Sequence, residues 1–321
     1  MAKFILGNRL RHSANESRVM SASLWLIDLL VLSPVLGLFA ILPASRASAL
    51  GAQLGRWIGR RLRRTRHVRA NLSLALPDKT PEEIDRLASD VWANAGRVLA
   101  EYPKLRQIVD PRRDHMRIEI MAPIPTYGDP TQPAVFVTAH QGNWELLGAA
   151  LTRLGIPTLG MYAPLSNPWL DRLLLRYRGA LGCRLVSRSA GLRPFLDALK
   201  RGESAGMIVD RRIEGGKPIL FFGEHKDSSM LAARLALRFQ VPLVPVEIER
   251  RPKARFVLRF HPPLRPSDHE ADIDAQANDL TRQLHALFEQ WIRARPGEWL
   301  CTSKIWPTAV LSARTDVYKS G

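Results

Sequence analysis

Ala134-Val-Phe-Val-Thr-Ala-His-Gln-Gly-Asn-Trp-Glu-Leu-Leu-Gly148 is the stretch that decides how this chain is read. Its first six residues are apolar on all sides, as in a short strand buried on both faces of a parallel sheet. A turn containing Gly142 follows, and residues 144–154 then have the character of a helix. His140 thus stands at the carboxyl end of a strand, with Glu145 five residues on. Five residues within one helix rotate the chain by about 500°, which would put the two side chains on different faces. They meet only if His140 lies in the turn before the helix. There Gly142 eases the reversal, Asn143 caps the helix, and Glu145 falls in the first turn, where the helix dipole favours a carboxylate. A carboxylate beside an imidazole fixes its tautomer and stabilises the cation formed as it takes a proton, while backbone N–H groups of the turn face a developing oxyanion. The expected catalytic pair is therefore His140 as general base and Glu145 as its orienting group, without a protein nucleophile. Such a pair suits attack by a substrate hydroxyl on an activated acyl carbonyl.

Working outward, the alternation of strand and helix continues. Residues 155–162, 204–209 and 241–249 read as strands, the second of them ending at Asp210, and 255–261 pairs with the third as an antiparallel hairpin. Helices are expected over 168–180, 191–201, 229–239 and 273–294, the last carrying Leu280, Leu284, Leu287 and Trp291 at core spacing. Upstream, Thr80, Pro81 and Glu83 form the capping box of a helix running to about Leu99. The fold class expected is α/β: a mostly parallel central sheet flanked by helices, with its site at the carboxyl ends of the strands.

The N-terminal part has a different character. Residues 24–42 are nearly long enough and apolar enough to cross a hydrocarbon core. Asp28 and Pro34 within them leave two readings open, a full span and a tilted anchor lying in the interface. A cleaved signal peptide fits poorly, because residues 43–47 carry Arg46 where small residues are needed. The net charge of the chain is +17, and twelve Lys and Arg residues lie in 1–70 against only Glu16 and Asp28. Seven arginines from Arg56 to Arg69 alternate with Leu54, Trp57, Ile58 and Leu62, as in a basic amphipathic helix on an anionic membrane surface. By the positive-inside tendency, the following domain is cytoplasmic. Residues 1–70 are expected to be anchor and basic segment, 71–310 the α/β domain and 311–321 a tail. Two cysteines, Cys183 and Cys301, exclude a disulfide framework and a cysteine-rich metal site. No metal site and no cofactor are expected.

Taken together, these motifs resemble the late, lauroyl- or myristoyl-type bacterial lipid A biosynthesis acyltransferases, within the His-x4-Asp/Glu glycerolipid acyltransferase superfamily. The resemblance rests on the anchor, the His140 to Glu145 string, residues 71–77, 162–168, 191–193, 201–210, 221–223 and 293–299. It implies an enzyme at the bacterial inner membrane, with its catalytic domain on the cytoplasmic side. The enzyme would move a fatty acyl chain from acyl carrier protein, or coenzyme A, to a hydroxyl of a phosphorylated lipid A precursor. It further implies substrate contacts at Asn143, Arg178, Arg193 and Asp210. Arg178 would hold a phosphate or the acyl carbonyl oxygen, and Asp210 would pair with that arginine or bind a sugar hydroxyl. The sequence departs from the pattern at Ala163, at Arg211 and after Trp299, near the expected phosphate and acyl pockets.

Other readings stay open at this stage. The same chemistry on a lysophospholipid or another glycolipid would leave the same motif, and the His-x4-Glu pair alone could activate water in a hydrolase. The basic excess also permits a membrane-tethered lipid- or nucleic-acid-binding module. Against nucleic acid, the basic residues gather beside the anchor and no motif of that kind is present. The partners expected are acyl carrier protein and anionic membrane lipid.

Overall fold

The structure, a computed structural model, describes residues 18–315. Residues 1–17 of the expected N-terminal segment and 316–321 of the expected tail lie outside the described residues. Nine strands are found among them: β1 Met116–Ile120, β2 Val135–Thr138, β3 Thr158–Tyr162, β4 Arg184–Ser187, β5 Ser204–Ile208, β6 Lys217–Phe221, β7 Glu224–Ser228, β8 Leu243–Arg251 and β9 Arg255–Phe260. Helices of seven residues or more are α1 Arg18–Ile41, α2 Ala44–Gly59, α3 Thr65–Ala75, α4 Pro81–Glu101, α5 Leu146–Arg153, α6 Pro168–Arg178, α7 Arg193–Lys200, α8 Leu231–Phe239, α9 Ile273–Ala294 and α10 Thr308–Arg314.

Seven strands form one sheet in the order β1-β9-β8-β2-β5-β3-β4, and β6 and β7 pair in a separate antiparallel hairpin. Every pairing in the large sheet is parallel except that of β8 with β9. All four residues of β2 are buried, as its continuous apolar run requires. One core lies on each face of the sheet. The first joins Val135 and Val137 of β2 to Phe195, Phe288, Trp299 and Trp306; the second joins Phe136 to Leu147, Leu151, Val244 and Phe260. The expected α/β class is thus observed. The sequence reading did not place β1, β4 or the β6–β7 hairpin, which are short and carry charged residues on a half-buried face.

The capping box forms as expected: the Glu83 N–H donates to Thr80 Oγ1 (3.3 Å) and the Thr80 N–H to Glu83 Oε2 (2.9 Å). The basic segment, by contrast, is not one continuous surface helix. It breaks between Gly59 and Thr65. α2 lies so close to α4 that a Cβ on Gly51 would fall 2.4 Å from the Gly96 carbonyl oxygen, so only glycine fits at this crossing. The boundary expected at residue 70 falls inside α3, whose Val68, Ala70 and Leu72 belong to the core, and the one expected after 310 falls inside α10, where Leu311 is buried. Among the described residues, Val68, Ala70 and Leu311 thus pack in the core of the α/β domain.

α1 contains one run, Ala22–Ile41, long and apolar enough to cross a membrane. It docks on the domain through one side. Asn167 Nδ2 donates to the Trp25 carbonyl (2.9 Å), and Lys104 Nζ donates to that of Ala40. Leu24, Asp28, Leu36 and Phe39 are buried on the docked side, while Leu26, Ile27, Leu30, Val31, Leu38 and Ile41 are exposed. Asp28 therefore meets protein, which removes much of its cost in an apolar helix.

Candidate active site

β2 and β5 are neighbours in register, with Thr138 beside Ile208. Two residues past this pair, just beyond the carboxyl ends of the two strands, stand His140 and Asp210. His140 Nδ1 lies 2.6 Å from Asp210 Oδ1, and Trp299 Nε1 donates to Asp210 Oδ2 (3.0 Å). Both carboxylate oxygens are thus engaged in a fully buried side chain. Burial alone would push the Asp210 carboxyl up. The charge and hydrogen bond of His140, with Arg211 and Lys226, more than offset this and hold it below the usual carboxylate range. An ionised Asp210 accepts from Nδ1–H, leaving Nε2 as the basic lone pair. Lys226 lies behind it, fully buried, donating from Nζ to the Asp210 backbone carbonyl (2.8 Å) and standing 4.4 Å from the Phe221 ring centre. Burial brings the Lys226 ammonium down to about 8, against the pull of Asp210.

Glu145 does not orient His140. Its carboxylate is held by Arg178 in a bidentate pair, Nε to Oε2 at 2.8 Å and Nη2 to Oε1 at 2.7 Å, and the Tyr102 hydroxyl donates to Oε1 at 2.6 Å. Arg178 Nη2 also donates to the Tyr102 oxygen (2.8 Å), closing a three-membered network. Burial would raise the Glu145 carboxyl, but the bonds and charge of Arg178 outweigh it and keep it below its ordinary value. The reason for the correction is topological: the strand beside β2 supplies a nearer carboxylate to Nδ1 than the helix that follows it.

The remaining expected site residues divide. Asp210 is in the site but binds His140, with neither Arg178 nor open space in front of it. Arg178 is in the site but spent largely on Glu145. Asn143 is buried, does not cap α5, and donates from Nδ2 to Glu101 Oε2 (2.8 Å). Its assignment as a substrate contact fails on that burial. Arg193 opens α7 with a side chain 91% exposed and 3.8 Å from Asp197, away from the residues around His140.

The turn that carries His140 is clamped from behind. Gly142 has φ +59°, and a Cβ there would sit 2.7 Å from the Ile248 carbonyl oxygen. Its own carbonyl accepts from Asn94 Nδ2 (2.9 Å), and Arg250 on β8 binds both oxygens of Glu101 as well as Asn94 Oδ1 (2.9 Å). Arg250 and Glu101 are nearly fully buried, so the pair is shielded and each charge depends on the other. The Leu300 N–H donates to the His140 carbonyl (2.8 Å), so the segment after α9 straps the same turn. Tyr102, Glu101, Arg250, Lys226 and Trp299 were not singled out as site residues from sequence. Only Trp299 left a signal there, as the end of the 293–299 string.

In front of His140 opens a cavity of about 310 Å³. Its polar wall carries His140, Tyr102, Glu145, Arg178 and Arg211, and its apolar wall includes Leu147, Met161, Leu181, Leu185 and Ile208. Gly148, Gly160 and Gly206 line it as well, and a Cβ on Gly148 would overlap Cys183 Sγ at 2.4 Å. A basic imidazole nitrogen at one end and hydrocarbon at the other suit an acyl group with its carbonyl beside His140. Burial pushes the Cys183 thiol up to about 11, which leaves little of it as thiolate at neutral pH. No group of three metal-ligating side chains occurs among the described residues.

The sequence pattern of the bacterial lipid A biosynthesis acyltransferases matches residues 15–308. Similar characterised proteins include lipid A biosynthesis acyltransferase 2 of Shigella flexneri, 25% identical over 87% of this chain and 88% of that protein. Another is the lipid A biosynthesis myristoyltransferase of Escherichia coli (strain K12), 22% identical over 84% of this chain and 83% of that one. Among solved structures, the 1-acyl-sn-glycerophosphate acyltransferase of Thermotoga maritima is similar with a TM-score of 0.35 at 14% identity, over 77% of this chain and 98% of that one.

Proposed function

The chain belongs to the bacterial lipid A biosynthesis acyltransferase family, and from that premise we propose how this O-acyltransferase carries out its reaction. The acyl donor is the thioester of acyl carrier protein or of coenzyme A, and the acceptor is a hydroxyl of a lipid A precursor. His140 is the general base and Asp210 its positioning residue. His140 Nε2 takes the proton of the acceptor hydroxyl as that oxygen attacks the thioester carbonyl. The carbon–oxygen bond forms, the carbon–sulfur bond breaks, and the proton on His140 passes to the departing thiolate. The imidazolium formed on the way is stabilised by the Asp210 carboxylate at 2.6 Å. Arg178 Nη1, the guanidinium nitrogen not used on Glu145 or Tyr102, is the donor assigned to the developing oxyanion, while Glu145 and Tyr102 hold that guanidinium in place.

The observation that carries this reading is the His140–Asp210 hydrogen bond at the mouth of a half-apolar cavity. The apolar helix α1 supports a place at the inner membrane, and the basic residues that follow it support a cytoplasmic catalytic domain. The test is to supply purified protein with an acyl carrier protein thioester and a lipid A precursor and to weigh the product by mass spectrometry. A mass gain of one acyl chain is expected, and undiminished acylation by His140→Ala refutes the mechanism.

A further inference from the structure

The sequence nominated Arg178 and Arg193 as substrate contacts, but Arg178 is bound to Glu145 and Arg193 is directed to Asp197. The positive charge left unneutralised at the cavity lies elsewhere. Arg211 follows Asp210 directly and lines the cavity together with His140. The carboxylate of Asp210 is already taken by His140 and Trp299. The next residue, Arg212, is neutralised by Asp227 at 2.7 Å. Arg211, Arg188 and Arg64 form no ion pair among the described residues. Arg188 stands just past β4 and Arg211 just past β5, so both leave the same carboxyl end of the parallel sheet, where ligands of such sheets bind. Arg64 precedes α3, on the basic turn after α2. Neighbouring protein partly desolvates the Arg211 guanidinium and lowers its pKa, although the side chain still reaches solvent; Asp210 opposes this, and the charges of Arg188 and Arg64 add to it. Arg211, the one of the three that lines the cavity, feels the positive charge of Arg188 and Arg64 and has no anion of its own beyond Asp210, whose carboxylate is engaged, so an anion entering the cavity beside His140 completes it.

We propose that Arg211, assisted by Arg188 and Arg64, is the anion seat of this cavity, and that it receives a phosphate ester carried by one of the two substrates. The proposal rests on the acyl-transfer reading and adds to it where the substrate's charge is held. A guanidinium fork meets two phosphate oxygens at once, which a single ammonium does not. The phosphate belongs either to the glycolipid acceptor or to the phosphopantetheine arm of the donor, and the chemistry of the seat is the same for both.

The experiment uses the full chain in detergent, as wild type, Arg211→Gln, Arg211→Lys and the double variant Arg64→Gln/Arg188→Gln. Binding of inorganic pyrophosphate is measured by calorimetry, independently of turnover. Loss of one charge-assisted bidentate contact should weaken it by about 10- to 100-fold in Arg211→Gln, with Arg211→Lys between. Two preference ratios in kcat/KM are then taken: phosphorylated over dephosphorylated acceptor, and phosphopantetheine over pantetheine thioester donor. A collapse of the first ratio in Arg211→Gln assigns the seat to the acceptor, and a collapse of the second assigns it to the donor. Pyrophosphate binding and both ratios equal to those of the wild type would overturn the proposal. Absence of acyl transfer by the wild type would instead remove the acyl-transfer reading, and the pyrophosphate comparison alone would then decide the anion seat.

Discussion

Asp210→Asn separates the two carboxylates that sequence and structure put forward as partners of His140. The side chain keeps its size but becomes half donor, half acceptor, in a buried place facing two N–H groups. Trp299 Nε1 can only donate, so the single amide oxygen turns to it, and the new NH2 faces His140 Nδ1 across a gap that is now 2.6 Å. The imidazole then settles as the tautomer with its proton on Nε2, which is the nitrogen needed as base. Losing the base tautomer together with the counter-charge of the imidazolium should cost about 10²- to 10⁴-fold in kcat, with KM for the acceptor little changed. Steady-state acylation, with circular dichroism to confirm folding, measures this. Glu145→Gln removes no bond to His140 but strands Arg178, so its loss should come with a fall in stability of about 3–5 kcal/mol, as for other broken buried pairs. An Asp210→Asn enzyme folded as the wild type and within about threefold of its kcat would refute the assignment of the orienting role to Asp210.

Gly142→Ala should destabilise the fold by about 1–2 kcal/mol from its left-handed backbone alone, with more from the contact at 2.7 Å to Ile248; denaturant midpoints and turnover should fall together. Lys226 offers a pH test. Its ammonium titrates near 8 in the fold and near 10.5 unfolded, so between these values the unfolded chain holds a proton the folded one has lost, and stability rises with pH. The wild type minus Lys226→Met difference in unfolding free energy should therefore grow by roughly 3 kcal/mol across that window, and a flat difference would show that the lysine is not the buried cation described. Cys183→Ala should keep kcat within about threefold, since a thiol raised to about 11 is not the acyl carrier; loss of transfer with an intact fold would argue for an acyl-enzyme. Glu101→Gln should unsettle the catalytic turn by leaving Arg250 buried and unpaired, at a cost of about 3–5 kcal/mol in thermal or denaturant unfolding.

Much of this protein was determined by local sequence. Hydrophobic period told strand from helix for residues 134–154 and 273–294, the Thr80–Glu83 box fixed a helix start, and a glycine at residue 142 marked the turn that carries His140. These features depend on neighbours a few residues away, so they are legible without a fold. The partners of His140, Glu145 and Glu101 are another matter. Which carboxylate reaches His140 depends on β5 lying beside β2 with Thr138 level with Ile208, a strand order that no period encodes. The same holds for Tyr102 and Arg178 on Glu145, and for Arg250 on Glu101, 149 residues away in the chain. Their ionisation and hydrogen bonds arise only when burial removes water and leaves each charge to the one opposite it. Sequence located His140 and its turn; the tertiary fold chose what holds that imidazole, what closes around it, and which arginines were left without an ion pair.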